Sequence, residues 1–266
     1  MMDGSFPAPL FQLSDVSYHA AGTGIRLLNS VSLSIKHGHV TGIIGQNGSG
    51  KSTLMKILAR QQTFGTGRIL FRGQDLQNWK PRDLARRLAY LPQQTVGASE
   101  MLVKELVALG RYPWHGPFGR FTKGDQQIVS SAIDTTGLRP LAERLTASLS
   151  GGEQQRAWLA MLLAQQPECL LLDEPTSALD IKYQSELLSL IRRMSRDVGM
   201  GTVVILHDVN MAARFCDEII AMRSGQVVDQ GSPEHVITTS ILRELYQVEM
   251  DVHIQSATKR PFAVLR

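Results

Sequence analysis

Two cysteines in 266 residues, with no CxxC spacing, provide neither a disulfide framework nor a cysteine-built metal site. Cys169 enters an apolar run and Cys216 sits in a helix-like stretch, so both are expected as buried small hydrophobes of a cytosolic chain. Long apolar runs are missing as well. The longest, Ala157 to Ala164, has eight residues, whereas a bilayer span needs about 20. Any membrane role is therefore expected to come through a partner. The opening Met-Met-Asp-Gly-Ser-Phe-Pro lacks the basic segment and apolar stretch of a secretory signal, so the expected compartment is the cytoplasm. Aromatic residues make up only 6% of the chain, and none interleaves the densest basic cluster, Lys80, Arg82, Arg86 and Arg87. That cluster reads as a solvated helix face, and with a net charge of +4 no nucleic-acid partner is expected. No internal repeat, low-complexity tract or linker stands out, so a single domain with nothing appended is expected.

The chain is long enough for one large α/β domain, or for a core with a smaller subdomain. Its 43% hydrophobic content is that of a globular protein. Leu13, Val16 and Tyr18, then Leu27, Val31, Leu33 and Ile35 after the Gly22-Thr23-Gly24 turn, predict short antiparallel strands. Val40 to Ile44 is a short apolar strand, and Leu54, Ile57 and Leu58 recur at helical spacing over 52–60. Between 95 and 147 the helical stretches 100–109 and 124–136 are interrupted by Gly110-Arg111-Tyr112-Pro113-Trp114-His115-Gly116-Pro117, which predicts an inserted helical subdomain. Strands return at 169–172, 202–206 and 218–222, separated by helix-length segments. That alternation predicts a mostly parallel sheet covered on both faces. A hairpin turn at 223–226 leads into Val227-Val228, and Pro233 opens a final helix.

Gly45-Gln46-Asn47-Gly48-Ser49-Gly50-Lys51-Ser52 fits GxxxxGK[ST], between a predicted strand and a predicted helix. Its glycines let the backbone curl with amides inward around a phosphate chain, and the helix adds the positive end of its dipole. Lys51 is then placed to reach β- and γ-phosphates, and Ser52 to offer a hydroxyl to Mg²⁺. The apolar run Leu170-Leu171-Leu172 ends in Asp173-Glu174, which sets two carboxylates at the carboxyl edge of a parallel sheet. Asp173 suits Mg²⁺ and Glu174 suits general-base activation of water. Leu149-Ser150-Gly151-Gly152-Glu153-Gln154, before an apolar helix, is a second candidate anion site; the plain alternative is that Ser150 only caps that helix.

Phosphate loop, Ser150 loop and Asp173-Glu174, in that order, resemble the ATP-binding-cassette (ABC) family across nearly the whole chain. The resemblance implies a P-loop NTPase fold of the ABC ATPase type, with an N-terminal antiparallel β subdomain and an inserted helical subdomain. It sets a nucleotide-binding core over 1–94 and 159–240, a helical subdomain with the Ser150 loop over 95–158, and a tail over 241–266. It implies ATP and Mg²⁺ as ligands. Two copies pair head to tail, so that Ser150, Gly151, Gly152 and Glu153 of one complete the ATP site of the other. Gly45, Asn47, Gly48, Ser49, Gly50, Lys51, Ser52 and Thr53 hold the phosphates. Gln93, with Gln94 as the other possible register, matches the glutamine that touches Mg²⁺ and water. Ser177-Ala178-Leu179-Asp180 matches the loop that contacts across the dimer, and His207 matches the histidine at the γ-phosphate. Tyr18 lies where the family stacks an aromatic ring on adenine; ordinary strand packing is its alternative.

The helical segment 105–121, with Gly110-Arg111-Tyr112-Pro113-Trp114-His115-Gly116 and Gly119-Arg120-Phe121, resembles ATP-binding subunits of importers for ferric siderophores, haem and vitamin B12. With His207-Asp208-Val209-Asn210-Met211-Ala212-Ala213-Arg214 it is most like those of ferric hydroxamate importers. The implied partners are a second copy, an inner-membrane permease seated beside Gln93 and residues 97–121, and, indirectly, a periplasmic siderophore-binding protein. The implied location is the cytoplasmic face of a bacterial inner membrane. Vitamin B12 or haem is the alternative cargo, and a soluble cassette acting on ribosomes or nucleic acid is the alternative class.

Overall fold

The computed structural model describes residues 9–20, 22, 24–94, 98–116, 119–177 and 179–266. The first eight residues, Thr23 of the expected turn, Val96 with its two neighbours, Pro117 and Ala178 lie outside the described residues.

In chain order the elements begin with β1 (Phe11–His19), β2 (Arg26–Ile35), β3 (Val40–Ile44), α1 (Lys51–Leu58), β4 (Thr66–Phe71) and β5 (Gln74–Asp75). There follow α2 (Pro81–Arg87), β6 (Leu88–Leu91), α3 (Val103–Leu109), α4 (Tyr112–His115), α5 (Lys123–Thr135) and α6 (Gly151–Ala164). Next come β7 (Cys169–Leu172), α7 (Ile181–Val198), β8 (Gly201–Ile205), α8 (Val209–Phe215), β9 (Glu218–Arg223) and β10 (Gln226–Gly231). The chain closes with α9 (Pro233–Val236), α10 (Thr239–Tyr246), β11 (Met250–Ile254) and β12 (Pro261–Leu265). It divides into two compact units, residues up to 79 together with 192–266, and residues 80–191.

The first unit holds an antiparallel sheet in the order β2-β1-β4-β5. Phe11 and Leu13 of β1 turn inward by simple alternation, and Val16 does so because the register shifts between Leu13 and Val16, where Asp15 has φ of 50°. The same unit carries β3 between β8 and β9, both parallel to it, with β10 antiparallel along β9. Every residue of β3 and β8 is buried, as expected of parallel strands covered on both faces. Gly42 is required there, because a Cβ at that position would meet Cys216 Sγ at 2.7 Å. Both cysteines are buried as expected, and burial pushes both thiols up, that of Cys216 to about 12.

In the second unit β6 and β7 pair in parallel, Leu88 beside Cys169. Val103, Leu106, Val129, Ile133, Ala157 and Ala160 form the core shared by α3, α5 and α6. Two expectations need correction. The 110–117 interruption contains a helical turn, α4. The basic cluster keeps Lys80 and Arg82 exposed, with Arg86 and Arg87 half-buried, and its arginines are also engaged: Arg82 Nε and Arg86 Nε donate to the Pro113 carbonyl at 3.0 and 3.1 Å, and Arg87 pairs with Glu168. A carbonyl-rich turn needs donors, and long arginines on a neighbouring helix supply them. Pro233 opens only one turn rather than the final helix; α10 and a β11–β12 hairpin follow it.

Arg111, just before α4, is buried, and its Nε donates to Asp125 Oδ1 at 2.8 Å while Nη1 donates to the Ala164 carbonyl at 2.9 Å. His115 Nε2 stands 2.9 Å from the same carboxylate oxygen. Burial pushes the Asp125 carboxyl up, but hydrogen bonds from Thr122, His115 and Arg111 hold it well below the usual carboxylate range. Asp125→Ala would strand a buried guanidinium and is expected to lower stability by about 3–5 kcal/mol, read as a shift in urea midpoint. Because the native pKa is depressed, the Asp125 contribution is present above the unfolded-chain value of about 3.9 and fades as pH falls below it. Asp125→Asn should flatten that acid slope.

Candidate nucleotide site

The phosphate loop leaves the end of β3 and enters α1. At Gly45 the backbone has φ of 145°, and a Cβ would stand 2.1 Å from the Met222 carbonyl oxygen of β9. No side chain fits, so the loop can press against β9 only with glycine here. Gln46 to Gly48 are exposed, while Ser49 and Lys51 are buried. The loop closes on itself through Ser49 N–H to the Gln46 carbonyl at 3.2 Å. Lys51, 4% exposed, donates from Nζ to the carbonyls of Gly45 at 2.9 Å and Gln46 at 2.8 Å. The ammonium is thus held inside the curl it would use to meet phosphate. Ser52 and Thr53 follow in the first turn of α1, half-buried. Tyr18 is half-buried on β1, opposite Leu28, whose Cδ2 would lie 3.0 Å from a Cβ at Gly50.

His207 is exposed just past β8, in a short loop held at both ends. Leu206 N–H donates to the Ile43 carbonyl at 3.2 Å, and Asp208 Oδ1 caps α8 by accepting from Asn210 N–H at 2.7 Å and Met211 N–H at 3.1 Å. A cleft of about 410 Å³ is lined by Gly45, Gln46, Asn47, His207 and Tyr246. The fold therefore brings His207 to the start of the phosphate loop. Tyr246 lies 200 residues beyond its hydrogen-bond partner Gln46, and no local motif in the sequence marks it.

In the second unit Asp173 and Glu174 follow β7. Asp173 is 2% exposed; its N–H donates to the Leu91 carbonyl at 2.9 Å, and Tyr90 Oη lies 3.4 Å from its Oδ2. Burial and then the Asp173 charge push the Tyr90 phenol up to about 12, so it stays a neutral donor. Tyr90 is a second residue that motif reading passed over, although it sits three positions before Gln93. Glu174 has φ of 52°, a left-handed backbone that L-residues avoid. Its Oε2 accepts from Gln93 Nε2 at 2.6 Å. Gln93, rather than Gln94, is therefore the glutamine that meets the carboxylate. Ser150 caps α6, and its N–H and Oγ donate to Glu153 Oε2 at 2.8 and 2.9 Å. These Ser150 hydrogen bonds lower the Glu153 pKa. Glu153 is turned back into a capping box, while Ser150 and Gly151 stay exposed. Gly152 packs against Tyr183, whose ring atoms would lie 3.3 Å from a Cβ there. Asp180 is exposed and accepts from Tyr183 N–H at 3.2 Å at the start of α7.

Among the described residues no group of three or more His, Cys, Asp and Glu side chains could hold a metal alone. Gln93 and Asp173 of the second unit offer an amide oxygen and a buried carboxylate, and Ser52 of the first unit offers a hydroxyl. Each is a hard oxygen donor of the kind Mg²⁺ takes alongside water and phosphate. Among the described residues no helix is long and apolar enough to cross a membrane.

A glycine loop curling from a parallel strand into a helix, with a lysine inside it, defines a P-loop nucleotide-binding fold. The chain belongs to the ABC transporter family, whose family pattern matches residues 28–177. It is 41% identical to the ferric enterobactin transport ATP-binding protein of Escherichia coli (strain K12), over 82% of this chain and 80% of that one. It is 38% identical to the iron(3+)-hydroxamate import ATP-binding protein of Bacillus subtilis (strain 168), over 90% of each chain. It is 39% identical to the ABC transporter ATP-binding protein YvrA of the same bacterium over 91% of this chain; there it spans only 55% of the longer relative. Its fold matches that of an ABC transporter in an inward-facing conformation, with a TM-score of 0.84 over 97% of each chain at 23% identity. As an ABC transporter ATPase the chain binds and hydrolyses ATP.

Gly45→Ala tests the loop geometry. Nucleotide affinity, measured by titration with a fluorescent ATP analogue, should fall at least about tenfold because the Cβ must displace either the loop or β9. Wild-type affinity would show that the loop does not depend on this contact.

Proposed function

We propose that this chain energises import of a ferric siderophore, of the hydroxamate class, through an inner-membrane ABC permease at the cytoplasmic face. The observation that carries this reading is identity near 40%, over most of the chain, to ATP-binding proteins of ferric enterobactin and iron(3+)-hydroxamate transport. The hydroxamate choice rests further on the segments 105–121 and 207–214.

In this reading the loop amides of Gly45 and Asn47 to Thr53, with the Lys51 ammonium, take the β- and γ-phosphates. Tyr18 stacks on adenine. Ser52, Gln93 and Asp173 hold Mg²⁺, which supplies charge neutralisation at the phosphate oxygens when bound. Glu174 polarises the attacking water as general base, and the Gln93 amide keeps its carboxylate oriented. His207 contacts the γ-phosphate. Ser150, Gly151, Gly152 and Glu153 of a second copy complete the site, and Asp180 contacts across the dimer. ATP then favours the closed dimer, and hydrolysis removes that preference. The remaining partner is a periplasmic siderophore-binding protein that meets the permease from outside.

Glu174→Gln should leave ATP affinity intact, slow turnover by about 10²–10⁴-fold, and accumulate an ATP-bound dimer on size exclusion. Undiminished hydrolysis would remove Glu174 from the base role. Ser150→Arg acts in trans, so mixed dimers with wild-type chains should retain part of the activity. For the transport role, the tagged chain should co-purify with a polytopic permease, and ferric hydroxamate should stimulate ATPase in the reconstituted complex. Stimulation by haem or cobalamin instead overturns the cargo, and co-purification with ribosomes or DNA overturns the class.

A further inference from the structure

The last 28 residues hydrogen-bond the phosphate loop at Gln46, beside the 410 Å³ cleft, and, through Ala263, Asn210 of α8, three residues after His207. Leu242 and Leu245 are fully buried and anchor α10. Tyr246, at the end of that helix, lines the cleft, and its backbone carbonyl accepts from Gln46 Nε2 at 2.9 Å. Gln247 then adopts a left-handed backbone, φ 58°, which ends α10 and turns the chain toward the hairpin. The Tyr246 hydroxyl is buried without a hydrogen bond of ordinary geometry, although the Gly45 amide acts on it. Burial pushes this phenol up to about 12, so it remains protonated and able to donate.

The hairpin makes the second contact. Ala263 of β12 pairs with Val252 of β11, and its own N–H and carbonyl are both taken by Asn210. Asn210 Nδ2 donates to the Ala263 carbonyl at 3.0 Å, and Ala263 N–H donates to Asn210 Oδ1 at 2.7 Å. The side-chain amide thus stands where a neighbouring strand would bind, and satisfies the open edge of β12. Asn210 lies three residues after His207, and Asp208 between them caps the same helix. A shift of the hairpin would pull on the His207 loop, and a shift of α10 would pull on Gln46.

We propose that Asn210 and Tyr246 are positioning residues for ATP hydrolysis, through which α10 and the C-terminal hairpin hold His207 and the start of the phosphate loop in one frame. The proposal rests on the reading that His207 contacts the γ-phosphate. Asn210 acts through His207 and not on the nucleotide. Its loss should therefore appear in turnover rather than in binding.

The test is steady-state ATPase and nucleotide titration on the full chain, with thermal unfolding midpoints as a folding control. Asn210→Ala should lower kcat about tenfold and shift KM for ATP by less than about twofold, at a near-native midpoint. Asn210→Asp, nearly isosteric, keeps the acceptor for Ala263 N–H but sets a carboxylate against the Ala263 carbonyl. It should give the same split even if Asn210→Ala folds poorly. Tyr246→Ala, which leaves the backbone bond to Gln46 possible, should also lower kcat more than affinity. In the double variant Asn210→Ala/His207→Ala, turnover should be no lower than in His207→Ala alone, because both act through one group. Multiplicative losses in the double variant, or full turnover in both Asn210 variants while His207→Ala is impaired, overturn the proposal alone. Full turnover in His207→Ala overturns the γ-phosphate role, and this inference with it.

Discussion

The contact between Gly45 and the Met222 carbonyl sets the geometry from which the nucleotide site is built. The loop's first residue is wedged against β9, so the chain must turn with φ of 145° before it can curl. That turn gathers the Gly45 and Gln46 carbonyls around the Lys51 ammonium. A buried ammonium is tolerable only with such acceptors, and the same charge is what a phosphate chain requires. β9 therefore serves the site without contributing a side chain to it. Its backbone limits how far the loop can relax.

The carboxylates after β7 follow a different logic. Asp173 is buried beside the neutral Tyr90 phenol, so its charge is oriented within the fold. Glu174 is held in a backbone region that costs on the order of 1–3 kcal/mol for a side-chain-bearing residue. Its 2.6 Å bond from Gln93 fixes where the carboxylate points. A strained residue with a clamped side chain suits a base that must meet one water in one place. The helical insert depends on charge as well. Arg82, Arg86 and Arg111 converge on the turn around Trp114, whose ring lies 5.1 Å from the Arg86 guanidinium and 4.9 Å from that of Arg111. A short aromatic turn without a core of its own is held in this way by donors and cation–π contacts.

Much of the site was legible because its chemistry is local. GxxxxGK[ST], Asp173-Glu174 after an apolar run, and Ser150-Gly151-Gly152 each place backbone amides or carboxylates within a few consecutive residues. A parallel strand buried on both faces announces itself by an apolar run, unbroken at 169–172 and interrupted only at Thr41–Gly42 within 40–44. The partners of the arginines on α2 were not legible, for the opposite reason. Arg82 finds the Pro113 carbonyl, 31 residues away, and a carbonyl has no signature in sequence. The C-terminal hairpin was missed because its strands are short and partly exposed, and the first shows no buried–exposed alternation.

By itself, then, the sequence determined the family to which the chain belongs, and it marked the glycine loop and the Asp173-Glu174 pair as the candidate groups for phosphate and for a base. Those depend on residue type and spacing over a single turn of chain. Only the tertiary structure decided that Gln93 reaches Glu174, that Asn210 pairs with Ala263, and that the Tyr246 carbonyl accepts from Gln46. Each of these is a hydrogen bond whose partner is set by packing. A side-chain amide finds its acceptor by where the backbone has placed it, and that placement comes from burying distant apolar residues together.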